Sequence, residues 1–257
     1  MQDLSITLIQ TTLHWHNAEQ NRQMFQEKID AIAKPTDLII LPEMFSTGFS
    51  MKAEELAEKP EGKSVQWMQE MAAKTNAVIT GSLIIEQQEK FYNRLYWVRP
   101  DGSLETYDKR HLFRMAQEEK TYTAGTKHLL VELKGWRILP LICYDLRFPV
   151  WCRNTMQYDF AFFVANWPGR RSLAWQTLLQ ARATENLAYV AGVNRVGEDG
   201  NGISYSGDSA VHAPDGETLY SLPHQEEVKT VLLEAKKLLE FREKFPAHLD
   251  ADKFTLL

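Results

Sequence analysis

Three side chains stand just beyond segments that read as buried strands, and together they form a set able to do chemistry: Glu43, Lys109 and Cys143. Glu43 follows Asp37-Leu38-Ile39-Ile40-Leu41-Pro42, a short unbroken apolar run stopped by proline, the pattern of a strand covered on both faces. A lone carboxylate there is costly unless it is paired. Cys143 closes the run Trp136 to Cys143 and precedes Phe148-Pro149-Val150-Trp151, where proline in a first turn opens a helix. A thiol between a strand and a helix feels the positive end of the helix dipole and free backbone N–H groups, which are expected to lower its pKa. Lys109 ends the second strand of a hairpin. Splitting an amide without a metal needs a strong nucleophile, a proton carrier and donors for the developing oxyanion, and these three residues can supply them.

Each residue taken alone also has an ordinary reading. Cys143 is a small core hydrophobe, Glu43 a surface-loop carboxylate, and Lys109 one of many solvated lysines at strand ends. Cys152, inside the helix after Cys143, has no chemical neighbours and reads as packing. His14-Trp15-His16 places two imidazoles on one strand face, yet no cysteine or carboxylate cluster completes a ligand set, so neither a metal nor a cofactor is expected.

The elements that must position these residues alternate. Leu4, Ile6 and Leu8 begin as a strand, and Asn17 to Lys34 has helical spacing. The strand ending at Leu41 follows, then a helix from Ser64 to Thr75 and a strand from Ala77 to Ile85. Phe91 to Val98 and Leu104 to Lys109 form a hairpin around Arg99-Pro100-Asp101-Gly102-Ser103, because proline fixes φ and glycine permits positive φ. Leu129 to Leu133 pairs with Trp136 to Cys143 around Lys134-Gly135. Asp159 to Ala165 is a strand, Ser172 to Asn186 a helix, and Ala188 to Val196, Asp208 to Ala213, Thr218 to Ser221 and Thr230 to Leu233 are strands. Glu54 to Ser64 and Gly197 to Ser206 read as loops, and the tail from Glu240 to Leu257 as less regular. The alternation predicts a layered α/β fold, and the hairpins exclude a purely parallel sheet. Two mixed sheets stacked face to face with helices outside accommodate this many strands, and with no linker or repeat residues 1–257 count as a single domain.

Of 257 residues, 44% are hydrophobic, and 29 Lys and Arg stand against 34 Asp and Glu without blocks of either sign. That balance argues against a nucleic-acid partner. No apolar run approaches the length needed to cross a bilayer, and the first residues carry no basic segment ahead of an apolar one, so a cytoplasmic protein without a membrane partner is expected. Two cysteines are too few for a disulfide framework.

Leu41-Pro42-Glu43-Met44-Phe45, Asp108-Lys109-Arg110-His111-Leu112-Phe113 and Leu141-Ile142-Cys143-Tyr144-Asp145-Leu146-Arg147-Phe148-Pro149 resemble, in order and spacing, the three catalytic motifs of the nitrilase superfamily. Asn166-Trp167-Pro168 and Leu179 to Asn186 are similar to later segments of that family, and the tyrosine after the cysteine looks like its omega-amidase branch. Nitrile hydrolysers and carbamoylputrescine amidases more often place tryptophan there. The resemblance implies a four-layer α-β-β-α sandwich and a homodimer that extends it. It implies Glu43 as general base, Lys109 as the cation that holds the oxyanion with the backbone N–H of Tyr144, Cys143 as nucleophile, and Glu118 as an additional glutamate, with Glu119 next to it as the competing alignment. It implies hydrolysis of the terminal amide of a small 2-oxo acid, 2-oxoglutaramate or 2-oxosuccinamate. Another amide, a nitrile or a carbamoyl amine is the nearest alternative, and a Cys-His protease using His111 or His212 or a non-catalytic nitrilase-fold subunit are more distant ones. Arg170, Arg171 and Arg147, in that order, are candidates to meet a substrate carboxylate, although Arg147 lies in a motif shared across specificities and has a structural reading. Phe45, Phe49 and Trp167 are candidates for the pocket wall.

Overall fold

The computed structural model describes residues 1–255. Leu38–Ile40 (β2) runs parallel to Leu4–Gln10 (β1) on one side and to Val78–Gln87 (β3) on the other. Its three apolar residues are therefore covered on both faces, as an unbroken apolar run requires. Lys90–Val98 (β4) and Leu104–Asp108 (β5) extend this sheet as antiparallel strands, joined by a turn in which Gly102 has a φ of 82°. Glu227–Leu233 (β13) pairs antiparallel with β1 at the other edge, giving six strands in the order β13-β1-β2-β3-β4-β5.

The second sheet repeats the plan. Trp136–Ile142 (β7), Phe160–Val164 (β8) and Tyr189–Val193 (β9) are parallel neighbours at its centre. Val131–Leu133 (β6) pairs antiparallel with β7, and Ser204–His212 (β11) with β9. Val196–Glu198 (β10) and Thr218–Pro223 (β12) both pair with β11, making seven strands.

The two sheets meet through Leu4, Ile6, Leu8, Leu95 and Trp97 on one side and Ile138, Phe160 and Phe162 on the other, all within one buried cluster. The Trp97 and Phe162 rings stack across the interface with centroids 6.3 Å apart. Helices Ala18–Asp30 (α1) and Lys63–Thr75 (α3) cover the outer face of the first sheet through Phe25, Ile29, Val65 and Met68, which pack with Ile9, Ile39 and Ile79. Ser172–Asn186 (α6) covers the second through Trp175, Leu179 and Ala183. Four short or peripheral helices complete the chain: Ala53–Leu56 (α2), Glu118–Thr121 (α4), Pro149–Cys152 (α5) and Ala235–Lys244 (α7). The architecture is a four-layer α-β-β-α sandwich.

Several local readings change. The first helix starts where Asn17 caps it, accepting the Gln20 N–H at 3.1 Å, but stops at Asp30 rather than Lys34. Gly197 to Ser206 is mostly a hairpin of β10 and β11, whose glycine-rich sequence hides two short strands. The tail is helical through Lys244 before a 3-10 turn at Ala247–Asp250. His14 and His16 lie beyond β1, not on a strand face: His16 has a φ of 55°, stacks on Trp15 and hydrogen-bonds Ser50 at 2.9 Å.

Candidate active site

Parallel strands point their carboxyl ends the same way, and here β2 of one sheet and β7 and β8 of the other end beside each other, the usual location for a site in an α/β protein. Glu43 follows β2, Cys143 follows β7, and Asn166 follows β8. Lys109 continues β5, where its N–H donates to the Asn93 carbonyl of β4 at 3.0 Å. Glu118 arrives on α4, after which the chain turns back along the hairpin: Gly125 N–H donates to the Lys109 carbonyl at 2.9 Å. A Cβ at Gly125 would overlap the Asp108 carbonyl, so that return path needs glycine.

Lys109 is at the centre of the site. Its Nζ donates to Glu43 Oε1 at 2.8 Å and to Glu118 Oε1 and Oε2 at 3.1 and 3.0 Å, and all three side chains are essentially out of solvent. Asn93 Nδ2 donates to the same two carboxylates, at 2.8 Å to Glu43 and 3.3 Å to Glu118. The backbone N–H of Asn166 donates to Glu43 Oε2 at 2.9 Å, and that of Phe113 to Glu118 Oε2 at 2.6 Å.

Cys143 opens the 3-10 turn Cys143–Arg147 with a φ of 43°, and Met44, just after Glu43, has the same φ. Non-glycine residues enter this left-handed region at a cost of about 1–3 kcal/mol each when the surroundings hold them there, and such positions gather at functional sites. Asp145 holds the Cys143 turn. Its carboxylate accepts the Ile142 N–H at 3.1 Å and the Tyr107 hydroxyl at 2.8 Å on one oxygen, and the His111 N–H at 3.0 Å and His111 Nδ1 at 2.8 Å on the other. One buried carboxylate thereby ties the turn bearing Cys143 to residues two positions either side of Lys109.

Burial pushes the Cys143 thiol well above its ordinary pKa, and the negative charge of Glu43 pushes it the same way, while Lys109 opposes. The thiol is neutral at neutral pH, contrary to the expectation of a lowered pKa. The turn that follows is a single short 3-10 segment with little dipole to offer, and burial outweighs it. Lys109 behaves oppositely. Burial disfavours its charge, but Glu118 and then Glu43 more than offset this and raise its pKa, so it stays an ammonium. Burial raises the Glu118 pKa, with Lys109 opposing and Glu43 adding to the rise.

Glu43, Lys109 and Cys143 floor a cavity of about 580 Å³. Phe49, Tyr144, Arg147, Trp167, Arg170 and Arg171 are in its walls, with Trp15, Met115 and Tyr205 further out. Arg147 lies over the Trp167 ring at 4.9 Å, and Arg171 lies over Phe113 at 5.0 Å and touches the Met115 sulfur at 3.6 Å. Neither meets a carboxylate among the described residues, and burial together with Arg170 and Arg147 depresses the Arg171 pKa.

The carbon-nitrogen hydrolase family matches residues 5–242 of the chain. The chain belongs to the carbon-nitrogen hydrolase family. Among its relatives, the omega-amidase YafV of Escherichia coli strain K12 is 49% identical over 257 residues, covering 100% of both chains. The 2-oxoglutaramate amidase of Bacillus subtilis strain 168 is 30% identical over 255 residues, 97% of this chain and 98% of the relative. The crystal structure of XC1258 from Xanthomonas campestris, a CN-hydrolase superfamily protein with an arsenic adduct in its active site, superposes with a TM-score of 0.98 at 48% identity over 100% of both chains. The sandwich of this carbon-nitrogen hydrolase is therefore of the nitrilase type.

Within that family frame, Glu43, Lys109 and Cys143, far apart in sequence, converge on one cavity floor, with Glu118 behind Lys109. Glu118 rather than Glu119 faces Lys109; Glu119 turns toward Arg114 at 3.9 Å. Phe49 and Trp167 line the cavity, and the Phe49 ring centre is 5.2 Å from Lys109 Nζ. Phe45 does not, because it is buried in the core between Phe25 and Trp67. Arg171 and Arg147 are half-buried in the wall, whereas Arg170, also in the lining, is exposed. His111 is held by Asp145 and stacked on Phe148 at 3.7 Å, His212 bonds Thr218 at 3.2 Å, and neither is among the residues that line the cavity with Cys143. The Cys152 thiol donates to the Asp145 carbonyl at 3.2 Å inside the core.

Asn93, Asn166 and Asp145 had no role in the sequence reading. Asn93 carried a signal: it shares the inward face of β4 with Leu95 and Trp97, so a polar residue occupies a core position of a period-2 strand. Asn166 and Asp145 lie within motif segments whose functional weight was assigned to their neighbours.

Proposed function

We propose that this protein is a thiol amidohydrolase that hydrolyses the terminal amide of short 2-oxo dicarboxylic acid monoamides, 2-oxoglutaramate and 2-oxosuccinamate, to the dicarboxylate and ammonia. The observation that carries this reading is Lys109 clamped between Glu43 and Glu118 beside the Cys143 thiol, beneath a wall in which Arg147 and Arg171 have no carboxylate partner among the described residues. The names of the relatives above point the same way.

Glu43 removes the proton from the neutral thiol as Sγ attacks the amide carbonyl carbon, forming a C–S bond. The carbonyl oxygen becomes an oxyanion, stabilised by the Lys109 ammonium and the backbone N–H of Tyr144. Glu43 returns its proton to the amide nitrogen, the C–N bond breaks, and ammonia leaves a thioester on Cys143. A water deprotonated by Glu43 then adds to the thioester carbonyl, and the thiolate departs with that proton. Glu118 holds Lys109 in place by accepting from its ammonium on both carboxyl oxygens. Because the thiol starts neutral, the base is indispensable to the first step.

The remote carboxylate of such a substrate meets Arg171 or Arg147, where a bidentate pair forms in a partly dry wall. Phe49 and Trp167 supply the apolar sides. The whole chain, residues 1–257, acts as one catalytic domain in the cytoplasm, and no helix among the described residues is long and apolar enough to cross a membrane. A homodimer would cover apolar side chains that one protomer leaves in solvent, among them Val150 at 52% and Leu173 at 80% exposure.

A panel of short ω-amides with and without the 2-oxo group, assayed by ammonia release, tests the reading. The expected result is preference for 2-oxoglutaramate. Preference for an aliphatic nitrile, a carbamoyl amine with release of carbon dioxide, or an uncharged amide at equal concentration would overturn it.

A further inference from the structure

The site holds two buried carboxylates and one ammonium, and the proposed chemistry needs one particular carboxylate, Glu43, to begin ionised. The other donors divide unevenly: Lys109 Nζ makes one bond to Glu43, at 2.8 Å, and two to Glu118, at 3.1 and 3.0 Å, and the backbone N–H that Glu118 receives from Phe113 is 2.6 Å away against 2.9 Å for the one that Glu43 receives from Asn166, so by distance none of them favours Glu43 alone. Two carboxylates this close repel each other when both are charged, so one of them is driven toward its protonated form. The remaining donor is Asn93. Its amide nitrogen is 2.8 Å from Glu43 Oε1 but 3.3 Å from Glu118 Oε1, so its stronger bond falls on Glu43.

We propose that Asn93 is a positioning residue that decides which buried glutamate carries the negative charge, holding it on Glu43 where the thiol proton must go. Three features support this. Asn93 is fully buried on β4, so water cannot take over its role. Among the described residues its amide nitrogen donates to these two carboxylates and its amide oxygen accepts from no group, so no third partner draws the side chain away from the pair. Its backbone carbonyl accepts the Lys109 N–H at 3.0 Å, so the same residue fixes the strand end from which the ammonium is presented. An amide cannot itself take a proton at neutral pH, so it biases the pair without competing as a base. Burial raises Glu118, which agrees with Glu118 being the member of the pair driven toward neutrality.

The inference rests on the Glu43, Lys109 and Cys143 mechanism proposed above, and the test separates the two. The pH dependence of kcat/KM is measured for the wild type, Asn93→Ala, Asn93→Ser and Asn93→Asp, alongside Tm and the rate at which iodoacetamide alkylates Cys143. With the donor removed in Asn93→Ala, the acid limb of kcat/KM should move up by about one pH unit, the size of one lost hydrogen bond to a charge. The alkylation profile should move with it, and KM should change by no more than about twofold, because the substrate is not touched. Asn93→Ser restores a donor and should recover part of the shift, whereas Asn93→Asp adds a third carboxylate and should shift the limb further up. An acid limb that stays at the wild-type position in a folded Asn93→Ala or Asn93→Ser, with rate losses that only follow Tm, overturns the inference. A Cys143→Ala variant that keeps turnover would instead overturn the mechanism beneath it.

Discussion

Lys109 Nζ lies 2.8 Å from Glu43 Oε1, and neither side chain reaches solvent. A buried ion pair is not a strong source of stability, but removing one partner leaves the other charged and unpaired, at a cost of about 3–5 kcal/mol. In this site the loss of Lys109 strands two carboxylates.

Lys109→Ala should therefore lose both activity and stability, with chemical denaturation showing a deficit of about 3–5 kcal/mol. Glu43→Gln keeps the shape and leaves Glu118 to pair with Lys109, so it should unfold near the wild-type midpoint while kcat falls about 10²–10⁴-fold, the range of a general base. Equal stability losses in both variants would contradict this account of the cluster.

Cys143→Ala should fold with an unchanged circular-dichroism spectrum and retain less than about a hundredth of the wild-type rate, because the nucleophile is gone. Cys152→Ala, which removes a buried thiol bonded to the Asp145 carbonyl and outside the cavity that Cys143 lines, should remain active. Rate measurements on the two variants, with and without EDTA, check the assignment; activity lost to EDTA and restored by zinc would refute a metal-free thiol mechanism.

Arg171→Ala and Arg147→Ala probe the wall. The residue that meets the remote carboxylate should cost most of kcat/KM for 2-oxoglutaramate, about 10²-fold or more for a lost charged contact, and little for a neutral aliphatic amide. Equal losses on both substrates would assign both arginines to structure, with Arg147 stacked on Trp167 and Arg171 on Phe113.

His212 gives a pH-dependent stability. Burial pushes its pKa down to about 4 from an ordinary value of 6.5, and its Nε2 has no partner among the described residues. Its folded pKa is depressed, so above pH 6.5 both folded and unfolded chains hold it neutral. As pH falls from 6.5 toward 4, the unfolded chain gains a proton that the folded chain refuses, and stability drops across that window. His212→Gln should flatten Tm against pH between those limits; an identical slope in both proteins would exclude His212 as the source.

The sequence by itself determined the layered α/β class and the three strand ends that carry Glu43, Lys109 and Cys143. Local forces set those features: an unbroken apolar run specifies a doubly covered strand, Pro100 and Gly102 specify the hairpin turn, and the motif spacing carried the family resemblance. Helix Ser172–Asn186 was legible to the residue, because its apolar spacing and the strands around it agree. The tertiary structure alone decided what depends on side chains meeting across the chain. Glu118 was separated from Glu119 only when one faced Lys109 and the other turned toward Arg114. The Cys143 thiol was expected to have a lowered pKa, yet burial beside Glu43 raises it, because desolvation depends on everything packed around a group and not on the element it starts. Phe45 and Phe49, four residues apart, diverged to the core and to the cavity wall. Asn93, 50 residues from Glu43, met that carboxylate only because β3 and β4 bring their strands beside β2, a non-local pairing that no sequence window contains.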